Sequence, residues 1–157
     1  MNFFNRKKAE STPVVSSSEA ASIFKGLRVL LVDDSRTQLY ALEKILNAVG
    51  IATITAENGK QGILMARHKR PDIILMDIVM PEINGFQATR YLTRHTDTAH
   101  IPIIIISGSN QESDKAWGLK LGARDFMHKP VNKDELLSKL KLIVNEMPTT
   151  NQVMHAG

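Results

Sequence analysis

The sequence contains no cysteine, which excludes disulfides and thiolate-bound metal and suits a reducing compartment such as the cytoplasm. Its five histidines, at positions 68, 95, 100, 128 and 155, have no ligand spacing, so a zinc site is not expected. Aromatic residues make up only 5% and do not interleave with basic ones, as a base-stacking surface would require. Lysine and arginine are dispersed, and Arg6-Lys7-Lys8 is their longest run. The formal charge of +4 therefore reads as solvated surface rather than as a nucleic-acid site. No apolar run approaches the ~20 residues that span a bilayer. The basic residues near the start are not followed by the apolar stretch of a secretory signal.

Residues 1–25 lack any sustained period and are expected to form a flexible tail, as are residues 148–157. Phe3-Phe4 beside Arg6-Lys7-Lys8 could touch a membrane surface or a partner, but stable insertion is not expected. Residues 26–147 carry the folded unit. At 157 residues, 43% hydrophobic and 23% charged, the chain holds one domain with a proper core.

Within that unit strand and helix signals alternate five times, which predicts a parallel sheet covered on both faces. Val29-Leu30-Leu31-Val32, Ile73-Ile74-Leu75-Met76 and Ile103-Ile104-Ile105-Ile106 are short apolar runs of the kind buried on both sides. Residues 51–56 and 125–128 supply the other two strands. Leu39, Leu42, Ile45, Leu46 and Val49 mark the first helix, with Gly50 as its stop. Asn58 can cap the second, and Pro71 forbids its continuation past about Lys69. Further helices are expected at 84–95, up to Leu121 before Gly122, and from Asn132 with Glu135 in capping-box position.

Polar residues close these apolar runs. Asp33 and Asp34 follow the first, Asp77 the third and Ser107 the fourth, and Lys129 comes just after Phe126-Met127-His128. In open α/β sheets ligands bind beyond the carboxyl ends of the strands, so these five side chains converge on one edge. Singly, each is an ordinary turn residue or helix cap. Together they are complementary. Two carboxylates ~5 Å apart repel by roughly 3 kcal/mol at an effective dielectric of ~20. Three therefore call for a hard cation, and Mg²⁺ fits a site with so few carboxylates. A carboxylate nucleophile with Mg²⁺, a lysine and a hydroxyl is the equipment of an aspartyl-phosphate site.

The chain resembles the receiver domains of bacterial two-component response regulators. The resemblance is carried by Val32-Asp33-Asp34-Ser35, Met76-Asp77-Ile78-Val79-Met80-Pro81 with Asn84-Gly85, Ile106-Ser107-Gly108, Gly122-Ala123-Arg124-Asp125-Phe126 and Lys129-Pro130. It covers about residues 27–146, with every landmark in family order. Residues 80–90 and Asp114-Lys115-Ala116-Trp117-Gly118 look most like stand-alone regulators of type IV pilus twitching motility.

The resemblance implies a flavodoxin-like (βα)5 fold with strand order 2-1-3-4-5. It makes Asp77 the phosphoacceptor, served by a CheA-like sensor histidine kinase. Asp34, Asp77 and the backbone carbonyl of Val79 would bind Mg²⁺ directly, and Asp33 through a water. Ser107, where threonine is frequent in the family, and Lys129 would bind the phosphoryl oxygens. Gly108 would keep the approach uncrowded, and the Lys129-Pro130 bond would be cis. Phe126 occupies the family's aromatic switch position, coupled to Ser107, though a plain core phenylalanine is also consistent. The output face would be the helix before Gly122, the fifth strand and the last helix, where Trp117 and Lys120 either anchor a partner or cover the core. The residues after Met147 are too few for an output domain, so the expected output is binding of a downstream motility or signalling protein. Alternatives are a phosphate sink or scaffold for the kinase, and a Mg²⁺-dependent phosphohydrolase. The last is disfavoured because Val79 stands where such enzymes place a second acid. The switch itself would not be an enzyme on other substrates.

Overall fold

The computed structural model describes residues 16–148. Five parallel strands, β1 (Arg28–Val32), β2 (Ala52–Ala56), β3 (Ile73–Asp77), β4 (Ile103–Ser107) and β5 (Asp125–His128), form one sheet in the order 2-1-3-4-5. The helices are α1 (Ser17–Ile23), α2 (Arg36–Asn47), α3 (Gly59–Lys69), α4 (Gly85–Arg94), α5 (Glu112–Lys120) and α6 (Lys133–Glu146). This is the doubly wound flavodoxin-like arrangement, and the expected strand order holds.

Strand pleat sorts the apolar runs between two cores. Val29, Leu31, Ile73 and Leu75 face a cluster with Leu42 and Leu46 of α2 and with Leu136, Leu137 and Leu140 of α6. Leu30, Val32, Ile74 and Met76 face the other way, onto Ala66 of α3 and Ala88 and Leu92 of α4. Burial on both faces explains why β1, β3 and β4 read as unbroken apolar runs.

Helix boundaries follow local chemistry. Ser35, Asn58, Asn84 and Asn132 cap α2, α3, α4 and α6 through their side chains, each accepting from the backbone N–H three residues on. Gln87 completes a reciprocal capping box with Asn84, at 2.9 Å in both directions. At Asn132 only the forward bond is made, from the Glu135 N–H. Arg70, with φ 47°, ends α3 before Pro71, and Gly50, with φ 87°, turns the chain from α2 into β2. The Lys129-Pro130 peptide bond is cis.

The expectation of a flexible tail over residues 1–25 is corrected for residues 16–25, the part that the structure describes. Ser16 and Glu19 form a capping box that starts α1. Ala20 and Phe24 are 1% and 0% exposed, inside the cluster of α2 and α6. Lys141 of α6 donates to Glu19 at 3.1 Å. The reason is burial: one phenylalanine and one alanine find an apolar groove, which outweighs the absence of a long hydrophobic period. Residues 1–15, including Phe3-Phe4 and Arg6-Lys7-Lys8, and residues 149–157 lie outside the described residues. Among the described residues no helix is long and apolar enough to cross a membrane.

Candidate functional site

Strand β1 runs straight into Asp33 and Asp34, and β3 ends on Asp77 at the same edge. One carboxylate oxygen from each of the three lies within 4.8 Å of the others. Asp33 and Asp77 are buried, at 3% and 6% exposure, while Asp34 is exposed. Register brings the other members alongside: Asp77 pairs with Ile106, one residue short of Ser107, and Ser107 pairs with His128, one short of Lys129.

Lys129 closes the cluster. Its Nζ lies 2.9 Å from Asp77 Oδ1 and 3.1 Å from Asp33 Oδ2. Its own backbone N–H donates to the Ser107 carbonyl at 2.7 Å, which fixes where the side chain starts. Asp33 Oδ1 accepts from the Ser35 N–H at 2.9 Å, so both Asp33 oxygens are engaged within the protein. Asp34 carries no such bond among the described residues and is exposed to solvent. Val79 follows Asp77 by two residues with its side chain 77% exposed.

Electrostatics set Asp77 apart. Burial pushes the Asp77 carboxyl above its ordinary range, partly offset by the hydrogen bond from Lys129 and reinforced by Asp33 and Asp34. For Lys129 burial pulls downward, but the bonds and charges of Asp77 and Asp33 outweigh it and hold the ammonium above its usual range. The lysine is therefore a fixed cation. One lysine cannot neutralise three carboxylates, and an all-oxygen donor set with this excess of charge fits a hard divalent ion.

Ser107 is 2% exposed, and its Oγ accepts from the Ser109 N–H at 2.9 Å. The hydroxyl proton remains available for donation. Phe126 is 4% exposed, with its ring packed in the core shared with α3 and α4. It meets His128 edge-on, with ring centroids 5.5 Å apart, and His128 Nδ1 donates to the Ser109 carbonyl at 2.9 Å. The β4–α5 loop is thus tied to β5 through His128, a residue that sequence reasoning passed over because a lone histidine gives no signal of its partner. Gly85 was legible only as part of a motif. Its N–H donates to the Ile78 carbonyl at 2.8 Å, and a Cβ there would stand 2.1 Å from the Asp77 carbonyl oxygen. Only glycine lets α4 start that close to Asp77. Around Gly108, by contrast, a Cβ would meet nothing within 4 Å.

Trp117 and Lys120 lie on α5, of which only Gly118 is buried. Trp117 is 46% exposed and Leu119 41%, so the tryptophan presents much of its ring to solvent.

Comparison with known proteins agrees with this fold. The family model described as response regulator receiver domain matches residues 29–141. Protein PilH of Pseudomonas aeruginosa is 48% identical over 117 residues, which are 74% of this chain and 97% of PilH. Protein PilG of the same organism is 34% identical over 74% of this chain and 86% of its own length. Among solved structures, chemotaxis protein CheY4 of Vibrio cholerae superposes with a TM-score of 0.70 at 27% identity, covering 74% of this chain and 98% of that one. The receiver domain of a sensor histidine kinase from Pseudomonas aeruginosa, with a magnesium ion coordinated in its active-site cleft, gives 0.72 at 28% identity, covering 77% and 99%.

Proposed function

The chain belongs to the response regulator receiver family, and from that premise we propose that it is a phosphoacceptor switch for a CheA-like sensor histidine kinase, acting in chemosensory control of type IV pilus twitching motility. The observation that carries this reading is the buried Asp77 carboxylate, 2.9 Å from Lys129 and grouped with Asp33 and Asp34. The motility assignment is supported by the extent of the similarity to PilH and PilG.

In the transfer an Asp77 oxygen attacks the phosphorus of the kinase phosphohistidine. The P–N bond breaks with its electron pair passing to the imidazole, and an acyl phosphate is left on Asp77. Asp34 and Asp77, with the Val79 carbonyl, would hold Mg²⁺, and Asp33 would act through a water. Bound there, Mg²⁺ supplies positive charge against the phosphoryl oxygens. Lys129 already touches the acceptor, and it can follow the negative charge from carboxylate to phosphoryl group without leaving the site. Ser107 offers its free hydroxyl proton to a phosphoryl oxygen. Phe126 lies on β5, paired in register with Ile105 of β4, and Trp117 and Lys120 on the exposed face of α5, β5 and α6 would meet a downstream partner.

Removing Asp34 is expected to weaken Mg²⁺ binding by about tenfold or more, because it deletes one of three carboxylates and the only exposed one. Calorimetric titration of Asp34→Ala with Mg²⁺ measures this; unchanged affinity rejects the metal assignment. The function is tested by retrieving bound proteins with the wild-type chain, with and without phosphodonor. Partner binding that changes several-fold on phosphorylation supports a switch, since coupling in such systems is typically about 5–150-fold. Binding that is identical in both states makes the protein a phosphate sink or scaffold.

A further inference from the structure

Outside the acidic site, α4 carries an unusual arrangement on its solvent side. Arg90 and Arg94 stand one turn apart, and so do Tyr91 and His95. The Tyr91 and His95 rings stack with centroids 3.8 Å apart and planes 19° from parallel. His95 Nδ1 donates to the Tyr91 carbonyl at 2.8 Å, which locks the ring and leaves Nε2 uncommitted. With Gln87 these four residues line a shallow hollow of about 290 Å³.

Charge at the hollow is unbalanced. Neither the Arg90 nor the Arg94 guanidinium pairs with an acidic group among the described residues. Like charges at this spacing repel along a helix. The neighbouring Arg67 of α3 reaches the Tyr91 hydroxyl at 3.5 Å and holds Asp97 at 3.0 Å. A carboxylate is thus already seated at the edge of the cluster, and Arg67 holds the Asp97 carboxyl below its usual range. The two free guanidiniums could take further carboxylates in the same way.

We propose that this face of α4 is a docking surface for an acidic, aromatic-bearing peptide segment of a partner protein. Guanidiniums favour planar, two-pronged carboxylate recognition, and the stacked rings give an apolar floor for one aromatic side chain. Tyrosine and arginine are also the residue types that dominate interface energetics. An extended polyanion would need a longer stripe of free cations, whereas here the adjacent Arg67 is already occupied by Asp97. The surface lies on α4, which meets the α5, β5 and α6 face assigned above to phosphate-dependent output through Thr93, whose Oγ1 donates to the Leu121 carbonyl at 2.9 Å.

The test uses the full chain and a short fluorescein-labelled peptide of alternating glutamate and tyrosine. Saturable binding that weakens as salt rises is expected. Amide shifts on titration should concentrate at Arg67 and residues 87–95. Arg90→Glu combined with Arg94→Glu should weaken binding about tenfold or more, with an unchanged thermal melt as the check on folding. A control of equal charge change, Lys25→Glu with Lys44→Glu, should have little effect. Loss of binding as large in that control, or none in the α4 variant, overturns the proposal. So does tighter, Arg90- and Arg94-dependent binding of a DNA duplex or of phosphatidylglycerol vesicles than of the peptide.

Discussion

Asp77→Asn is expected to take up no phosphoryl group from either a phosphorylated kinase or a small phosphodonor with Mg²⁺. The wild-type chain should acquire one that is stable to acid and labile to base. An amide nitrogen is not a nucleophile at neutral pH, and no neighbour can stand in for it. Asp33 has both oxygens engaged by Ser35 and Lys129, and Asp34 is exposed and forms no ion pair with Lys129 among the described residues. Intact-mass measurement or radiolabel transfer reads the result, and stoichiometric labelling that persists in the variant overturns the assignment of the acceptor. The same substitution should make the metal-free fold more stable at neutral pH. Asp77 binds its proton more tightly folded than unfolded. Ionising it therefore costs stability as pH rises from its ordinary range through its raised folded value. The gain should be full above the raised value and shrink as pH falls below the usual aspartate range, where the wild-type carboxyl is neutral in both states. Denaturant melts in chelator at the two ends of that range measure it. A gain that is largest in acid contradicts the electrostatic account.

Much of the site could be read from the chain because parallel sheets make the ends of apolar runs equivalent places. Asp33, Asp34, Asp77, Ser107 and Lys129 were each visible as the polar residue where a run stops, and pairing of β1, β3, β4 and β5 brings them to one edge. The side-chain partners were less legible. That Asp33 would be held from two sides, or that His128 would tie the Ser109 loop, depends on tertiary distances that no spacing encodes. Helix α5 was also weakly written. Only its Gly118 is buried, with a Cβ there 2.8 Å from Ile105 Cδ1, so its position depends on a small residue more than on an apolar stripe. The Phe126 ring is packed in the core, as either reading of that residue requires; Phe126→Ala tests its coupling to Ser107 and should leave phosphorylation nearly intact while flattening the change in partner affinity.

Phe24→Ala is expected to destabilise the protein by about 3–5 kcal/mol, the range for removing a buried phenylalanine side chain. Sequence patterning placed this residue in a tail because α1 is only seven residues long and offers no repeating apolar face. Helices this short are unstable alone and persist only through what they pack against. Here the packing is extreme: Phe24 is fully buried and Ala20 nearly so, in the cluster with Leu46 of α2 and Leu140 and Ile143 of α6. The Leu27 N–H donates back to the Phe24 carbonyl at 3.0 Å, so the ring is fixed at the turn that feeds β1. Loss of it opens a cavity in the cluster that also holds Val29 and Leu31 of β1. For a domain of this size the fall in melting temperature should be on the order of 10 °C. The exposed Leu64 of α3 is the control, since Leu64→Ala should change stability by no more than about 0.5 kcal/mol. Phosphorylation of Asp77 should survive in Phe24→Ala at temperatures below its melt, because the phenylalanine sits in the core cluster with Leu46, Leu140 and Ile143. A silent Phe24→Ala would restore the flexible tail and remove α1 from the fold, while a loss of labelling in a still-folded variant would show the first helix reaching the site.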